Sequence, residues 1–334
     1  MDDDKAAAEQ SPNAADTRCG FIALIGAPNA GKSTLINALV GSKVAIVTPK
    51  VQTTRTRITG ITAVGNTQIV FRDTPGIFAA KRAIDSAMVE AAWTSGADAD
   101  AVVVVVDSRR PINAAGDDTA RIVTGLAVSN RSAILVLNKV DLVAKTKLLE
   151  LAKELTSVPV PLRDDPGQKP RAGDSSSIFT DVFMISALSG LGVDDLRNHL
   201  AARMPPGPWH YPPDQMADAS LRFLAAEITR EKLFLALHDE LPYALTVETE
   251  SWQERGPKKG VRIEQVIYIL RDSHKPIILG KGGSLLKDIG MKARADIAEL
   301  VGMPVHLFLQ INVRPNWTDE PARWREMGLE FRKQ

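Results

Sequence analysis

The sequence predicts an α/β fold in two parts: a doubly wound, mostly parallel sheet, followed by a smaller α+β domain. Three observations carry that expectation. Over roughly 180 residues, short apolar runs alternate with helical stretches, the pattern of a sheet covered by helices on both faces. Those runs are dense in β-branched residues and do not alternate with polar ones, as strands buried on both sides require. The pattern then breaks at Met204–Pro213, which holds five prolines in ten residues. Neither helix nor sheet tolerates that composition, whereas a stiff linker does.

The elements follow in order. Residues 1–18 are polar and Ala-rich and are expected to be a disordered N-terminal segment or a tag, ahead of a first domain spanning 19–203. Phe21–Gly26 (FIALIG) reads as a buried strand, followed by a Gly-rich turn and an apolar helix, Ser33–Leu39. Thr67–Gly76 (TQIVFRDTPG) brings a strand to an acidic tip at Asp73. Ala101–Asp107 and Ser132–Asp141 are further strands, and Val182–Leu188 is the last of the sheet. Before it, Arg163–Ser177 has lost all apolar content and reads as a flexible surface insertion. Beyond the linker, 204–216, the second domain is expected over 217–334. It comprises a helix over Ser220–Leu237, strands over Tyr243–Trp252 and Val261–Arg271, a helix from Gly280–Gly283 to about Val301, a strand over Val305–Val313 and a helix over Glu320–Phe331.

Composition excludes several classes. The chain has 334 residues with 41 basic and 40 acidic side chains, so no global basic field marks a nucleic-acid binder. A single cysteine, Cys19, excludes an internal disulfide framework and a Cys-rich zinc site, and fits a reducing cytosol. The five histidines show no ligand spacing. The longest apolar run, Ala99–Val106, is far short of the ~20 residues of a membrane span, and Met1–Lys5 is acidic where a signal peptide would be basic. The expectation is a soluble, cytoplasmic protein.

Gly26–Ala27–Pro28–Asn29–Ala30–Gly31–Lys32–Ser33 matches G-x-x-x-x-G-K-[ST] between a strand and a helix, with Thr34 next in line. The glycines let backbone N–H groups curl round a phosphate, Lys32 brings a cation to the terminal phosphate oxygens, and Ser33 offers a hydroxyl to Mg²⁺. The base is chosen elsewhere. Asn138–Lys139–Val140–Asp141 lies at the end of a buried strand, where ligands bind in such sheets. The Asp141 carboxylate can accept both the N1–H and the N2–H₂ of guanine, and adenine offers neither there. Discrimination built on such pairing reaches roughly 10⁴, so GTP and GDP are the expected ligands and a P-loop ATPase or kinase is disfavoured. Asp73, at the tip before Thr74–Pro75–Gly76, is placed to hold Mg²⁺, and the Gly76 N–H to meet the γ-phosphate. Thr53 and Thr54 lie in a polar segment, Pro49–Arg57, where a hydroxyl can close on Mg²⁺ while γ-phosphate is present. Ser186–Ala187–Leu188 ends the last strand with N–H groups for guanine O6.

The order of these motifs resembles the translation-factor-like GTPases of the TRAFAC class, and Pro28–Asn29 with Thr54–Arg55 resembles their Era/TrmE/EngA group. The resemblance implies that Thr54 is the switch threonine on Mg²⁺, and that Asn29 helps bind a K⁺ ion acting in place of an arginine finger. At the position after DTPG, where Ras-like proteins carry a water-orienting glutamine, this chain has Ile77. An aliphatic side chain directs no water, so catalysis falls to Lys32, Mg²⁺ and K⁺ or to a partner. Intrinsic turnover is then expected on the order of 10⁻⁴ to 10⁻² s⁻¹, the range of unassisted GTPases.

In the second domain, Gly280–Lys281–Gly282–Gly283 follows the apolar run Lys275–Leu279, read as a strand, and precedes an amphipathic helix. This resembles the G-x-x-G loop of a KH module, whose glycines admit the sugar–phosphate backbone. Between Arg271 and Arg294 six basic residues, Lys275, Lys281, Lys287, Lys292 and Arg294 among them, face two acidic ones. Ile278, Leu279, Leu285 and Ile289 are the expected floor under the bases. With Ser220–Phe234, Leu241–Glu248 and Val313–Trp317, the chain from about Arg18 to Phe331 resembles the Era GTPase family. The family's acidic residue in the SERF start of the first helix is absent from Ser220–Leu221–Arg222–Phe223, and Arg163–Ser177 is longer than usual.

The resemblance implies a P-loop G domain joined to a type II KH domain, a monomer, and binding near the 3′ end of small-subunit ribosomal RNA during assembly of the small ribosomal subunit. DNA is not an expected partner. Two alternatives stand beside it: a constitutive KH RNA-binding protein with a non-cycling nucleotide site, and a cell-cycle GTPase held peripherally on the cytoplasmic face of the inner membrane.

Overall fold

The computed structural model describes residues 16–48, 50, 58–74, 76–78, 83–110, 118–157, 177–238 and 241–315. Its first sheet contains β1 (Arg18–Ile25), β2 (Ile58–Val64), β3 (Thr67–Asp73), β4 (Ala101–Asp107), β5 (Ala133–Asn138) and β6 (Phe179–Met184). They lie in the order β2-β3-β1-β4-β5-β6, with every pairing parallel except that of β2 with β3. The helices are α1 (Lys32–Val40), α2 (Ala83–Ala97), α3 (Asp118–Val128), α4 (Lys145–Thr156) and α5 (Val193–Arg203).

The valine run of β4 shows why these strands do not alternate. Val103 and Val105 enter a core with Leu35 and Ile36 of α1 and Leu196 and Leu200 of α5. Val102, Val104 and Val106 enter a second core on the other face, with Ile122 and Leu126 of α3 and Leu151 and Leu155 of α4. Each face buries its own apolar set, which makes the sheet the doubly wound scaffold expected of the sequence.

Four sequence expectations need correction. β1 starts at Arg18, before Phe21, because Arg18–Gly20 pair with Thr67–Ile69 despite their weak apolar character. β2 is absent from the sequence pattern: it is an edge strand, broken by Thr59, Gly60 and Thr62, and paired through the hairpin to β3. β6 runs over Phe179–Met184 and stops before Ser186–Leu188, which form the loop after it. The proline-rich stretch is more than the stiff spacer expected between two domains. Pro206 bridges Arg18, the Gln68 side chain brackets His210 and Tyr211 with three hydrogen bonds, and Ile61 N–H donates to Met216 O at 2.8 Å. The Asp218 N–H then donates to Thr59 O at 3.1 Å, so the linker is docked along the first sheet up to Asp218.

The second domain runs α6 (Leu221–Ala236), β7 (Leu245–Glu254), β8 (Val261–Ile269), α7 (Lys275–Leu279), α8 (Ser284–Val301) and β9 (Val305–Val313). β8 is central, antiparallel to β7 and parallel to β9. The Ser220 side chain caps α6, accepting the Phe223 N–H at 3.2 Å. α6 is buried on all sides from Leu224 to Glu231, because one side packs on the second sheet and another faces the first domain. Lys275–Leu279 is a fifth correction: it is a short helix, not a strand, begun by Pro276 in the first turn where proline's missing N–H costs nothing.

Thr53, Thr54 and Pro75, the insertion over 163–176 and the expected helix Glu320–Phe331 lie outside the described residues. Among the described residues, no helix is long and apolar enough to cross a membrane.

A candidate nucleotide pocket and nucleic-acid loop

A cavity of about 340 Å³ opens at the carboxyl ends of the first sheet, where ligands bind in such folds. Pro28, Asn29, Gly31, Lys32, Ser33 and Thr34 line one end. Asn138, Lys139, Asp141, Ser186, Ala187 and Leu188 line the other, and Ile46, Val47, Thr48, Thr74 and Gly76 form a side wall. The sequence-predicted residues from four separate motifs therefore meet in one place.

At the phosphate end, Lys32 is buried and its Nζ donates to Gly26 O and Ala27 O, each at 3.0 Å. Burial pushes its pKa down to about 8, against the pull of Asp73. An ammonium held so far from water gains strongly from an added anion, which is what a phosphate supplies. Gly31 takes φ +97, and a Cβ there would lie 2.3 Å from Asn138 Nδ2. No other residue fits between the two loops.

Ser33 Oγ lies 3.0 Å from Asp73 Oδ2, and Asp73 is fully buried. These two hard oxygen donors would suit a small divalent cation such as Mg²⁺. Gly76 packs so closely on Pro28 that a Cβ would sit 2.9 Å from its backbone nitrogen. Ile77 N–H donates to Gly26 O at 3.1 Å, and its side chain is fully buried in the second core. The residue after Gly76 is thus turned inward and has no part in the cavity.

At the base end, Asn138 is a three-way tie. Its Nδ2 donates to Ala30 O at 2.9 Å, and its Oδ1 accepts from Lys139 N–H at 2.8 Å and Ala187 N–H at 3.0 Å. The Ser186 N–H donates to Leu191 O. Ser186 and Ala187 therefore spend their amides on holding the loop, and among the described residues Leu188 is the one of the three whose N–H has no protein acceptor. The Asp141 carboxylate is exposed on the turn after β5.

Lys139 carries a network that sequence reasoning missed. Its Nζ donates to Asn29 O and to Asp107 Oδ2, both at 2.7 Å. Asp107 also accepts from Arg109 Nε at 2.9 Å and Nη2 at 2.7 Å. Burial pushes the Asp107 carboxyl up, but the hydrogen bonds from Arg109 and Lys139 outweigh it and hold it at about 2. Asn29 and Lys139 both have positive φ, +64 and +66, so two strained residues face each other across one hydrogen bond. The available signal was an acid ending a strand next to the Asn138–Asp141 strand.

In the second domain the Gly280–Gly283 loop joins α7 to α8. Gly280 has φ +69 and ψ −178, a conformation reserved for glycine, and a Cβ there would strike Leu285 Cβ at 2.7 Å. Gly282 and Gly283 also lie at positive φ. Lys275, Lys281, Lys287 and Arg294 are exposed around the loop and along α8, whereas Lys292 is turned to Asp288 at 2.8 Å. The expected apolar floor is corrected in part. Ile278 and Ile289 are core residues, Leu279 and Leu285 are half-buried, and the apolar side chains exposed here are Ile277 and Met291.

Known proteins share this arrangement. Residues 21–139 match the family model of 50S ribosome-binding GTPases, and residues 240–318 match that of KH domains. The chain is 56% identical to GTPase Era of Afipia carboxidovorans over 318 residues, 95% of this chain and 96% of that protein. It is 54% identical to GTPase Era of Bradyrhizobium diazoefficiens over 321 residues, 96% and 97% of the two chains. Among solved structures, Era in complex with MgGDPNP and nucleotides 1506–1542 of 16S ribosomal RNA aligns with a TM-score of 0.79 at 33% identity, over 93% of this chain and 99% of that one. An Aquifex aeolicus Era variant bound to GDP·AlF₄⁻ gives 0.78 at the same identity and coverage. With both domains matched along nearly the whole of each chain, this chain belongs to the Era family of GTPases.

Proposed function

We propose that this GTPase is a slow molecular switch that holds single-stranded RNA near the 3′ end of small-subunit ribosomal RNA on its Gly280–Gly283 loop during assembly of the small subunit. It acts as a cytoplasmic monomer. The observation that carries the nucleotide half is the Asn138 tie, which draws the P-loop, the Asp141 turn and the Ser186–Leu188 loop round one cavity. A relative solved with a 16S ribosomal RNA fragment supports the RNA half and favours the small subunit.

In this reading Gly26–Thr34 wraps the phosphates with backbone N–H groups, and Lys32 leaves the Gly26 and Ala27 carbonyls for the phosphate oxygens. Asp141 reads the guanine edge while the Lys139 stem lies along the ring. Ser33, Asp73 and the switch hydroxyl of Thr54 hold Mg²⁺, which neutralises charge on the β- and γ-phosphates. The Gly76 N–H meets the γ-phosphate. Ile77 orients no water, so turnover depends on positioning and charge, with Asn29 helping to hold K⁺. Lys275, Lys281, Lys287, Lys292 and Arg294 supply phosphate contacts that set the RNA register. A γ-phosphate bound between the P-loop and Gly76 alters the domain interface and so the RNA affinity.

The test is GTP hydrolysis in KCl and in NaCl, with and without a short single-stranded RNA copying the 3′ end of small-subunit ribosomal RNA, for the wild type and Lys281→Asp. Faster turnover with RNA in KCl, lost in the variant, supports the switch. Equal RNA affinity with GDP and with a non-hydrolysable GTP analogue sinks it.

A further inference from the structure

The segment that follows α1 has two sides. Asn37 folds it back, its Oδ1 accepting from the N–H groups of Val44 and Ala45 at 2.9 and 2.8 Å and its Nδ2 donating to Ala45 O at 2.8 Å. Past that fold, Ile46, Val47 and Thr48 form a wall of the nucleotide cavity. The other side of the same segment is held by the second domain. Glu231 of α6 accepts the Val47 N–H on Oε1 at 2.8 Å and the Lys43 ammonium on Oε2 at 2.7 Å. Its side chain is 4% exposed. Lys43 also reaches Asp296 of α8 at 2.8 Å, Lys232 pairs with the same Asp296 at 2.5 Å, and Lys50 Nζ donates to Leu237 O. One carboxylate therefore holds both a backbone amide of the nucleotide wall and a cation shared with the helix that begins at the Gly280–Gly283 loop.

We infer that Glu231 is a positioning residue of the nucleotide pocket, contributed by the RNA-binding domain. It touches no nucleotide and acts through Val47. The contact is polar and its central carboxylate, Glu231, is buried, and this matters in two ways. A hydrogen bond from an amide to a buried carboxylate is among the stronger ones, and losing the carboxylate leaves the Val47 N–H without its partner. An interface of charges, unlike an apolar one, can also be separated without exposing a greasy surface to water. Seating of the second domain thus sets the position of the Val47 wall. Resting on the RNA reading above, RNA held at the start of α8 acts on nucleotide release through Asp296, Lys43 and Glu231. Ser284 and Asp296 stand twelve helical steps apart on α8, a rigid rod of about 18 Å.

The experiment uses the full-length chain loaded with a fluorescent methylanthraniloyl GDP, and follows its release into excess unlabelled GDP by stopped flow. Glu231→Ala is expected to release it about tenfold faster, the loss of one strong hydrogen bond. Glu231→Gln, which keeps an acceptor for the Val47 N–H, is expected to restore release to within about twofold of the wild type. A merely structural role would instead lower the melting temperature of both variants alike and leave the release rate alone. Release from folded Glu231→Ala at the wild-type rate overturns the inference. If Glu231→Ala does not fold, Lys43→Met at a more exposed position takes its place: faster release by threefold or more supports the inference, and the wild-type rate overturns it. The RNA arm repeats release with the oligonucleotide while anisotropy reports its binding. RNA that binds the wild type and changes release, but no longer does so in Lys43→Met, supports the relay. RNA that binds without changing release overturns it. RNA that never binds overturns the RNA reading and leaves the Glu231 result intact.

Discussion

Asn138 donates its side-chain amide to the Ala30 carbonyl, 2.9 Å away, and so joins the loop after β5 to the loop between β1 and α1. The two loops are 108 positions apart in sequence, and the bond between them is buried. Replacing Asn138 with alanine removes this bond and the two that its Oδ1 accepts. Three net hydrogen bonds at about 1 kcal/mol each predict a loss of nucleotide affinity of roughly 100-fold. Calorimetric titration with GDP, alongside a melting curve to separate binding from folding, checks it.

Asp141 makes a different kind of prediction. Asp141→Asn exchanges a double acceptor for a group that also donates, which clashes with the guanine amino group but suits the C2 carbonyl of xanthine. GDP affinity is expected to fall by roughly 10³ or more, and XDP affinity to rise above it. Competition between the two diphosphates, read by displacement of a fluorescent nucleotide, decides the matter. A variant that still prefers GDP would show that Asp141 does not read the base.

Asp107 links structure to acidity. Its folded pKa of about 2 lies below the ordinary 3.8. A depressed carboxyl contributes stability that is fully present above the unfolded value and is lost as pH falls through the folded one. The stabilisation, about 2 kcal/mol, is therefore complete above about pH 4 and disappears by about pH 2. Asp107→Asn should be less stable than the wild type by about that amount at pH 7, with the gap closing across this window. Urea denaturation at a series of pH values measures it. The same variant frees Lys139 and is expected to weaken GDP binding.

Lys281 and Lys287 are exposed and ion-pair with none of the described residues. If each neutralises a phosphate, each alanine variant lowers the slope of log affinity for single-stranded RNA against log salt by about 0.7. Lys292, paired with Asp288, should contribute less than either. Anisotropy titrations from low to moderate salt give the slopes directly. Unchanged slopes for Lys281→Ala and Lys287→Ala would remove the loop from the RNA interface.

Most of the architecture was legible because it rests on local chemistry. The β-branched run Ala101–Asp107 announces a strand buried on both faces, and Val305–Val313 was bounded correctly by its flanks. The short loop motifs were legible too, since each carries its own spacing. What escaped depends on distant partners. β2 owes its existence to the hairpin with β3, and Lys275–Leu279 is five residues long, too short for a helical period to show. The Asp107–Lys139–Asn29 network and the Glu231 contact join residues between 32 and 184 positions apart, and no pattern within one segment reports such a meeting.

The docked linker changes how the two halves can move. Asp218 is still bonded to Thr59 of β2, and Ser220 already caps α6. Only Ala219 lies between those anchors, so the chain offers a swivel and not a leash. The second domain can turn about that point but cannot drift from the first. At so short a reach, the effective concentration of Glu231 near Val47 is on the order of millimolar or higher. A clamp opened by RNA or nucleotide would therefore re-form as an intramolecular event, independent of how dilute the protein is in the cell.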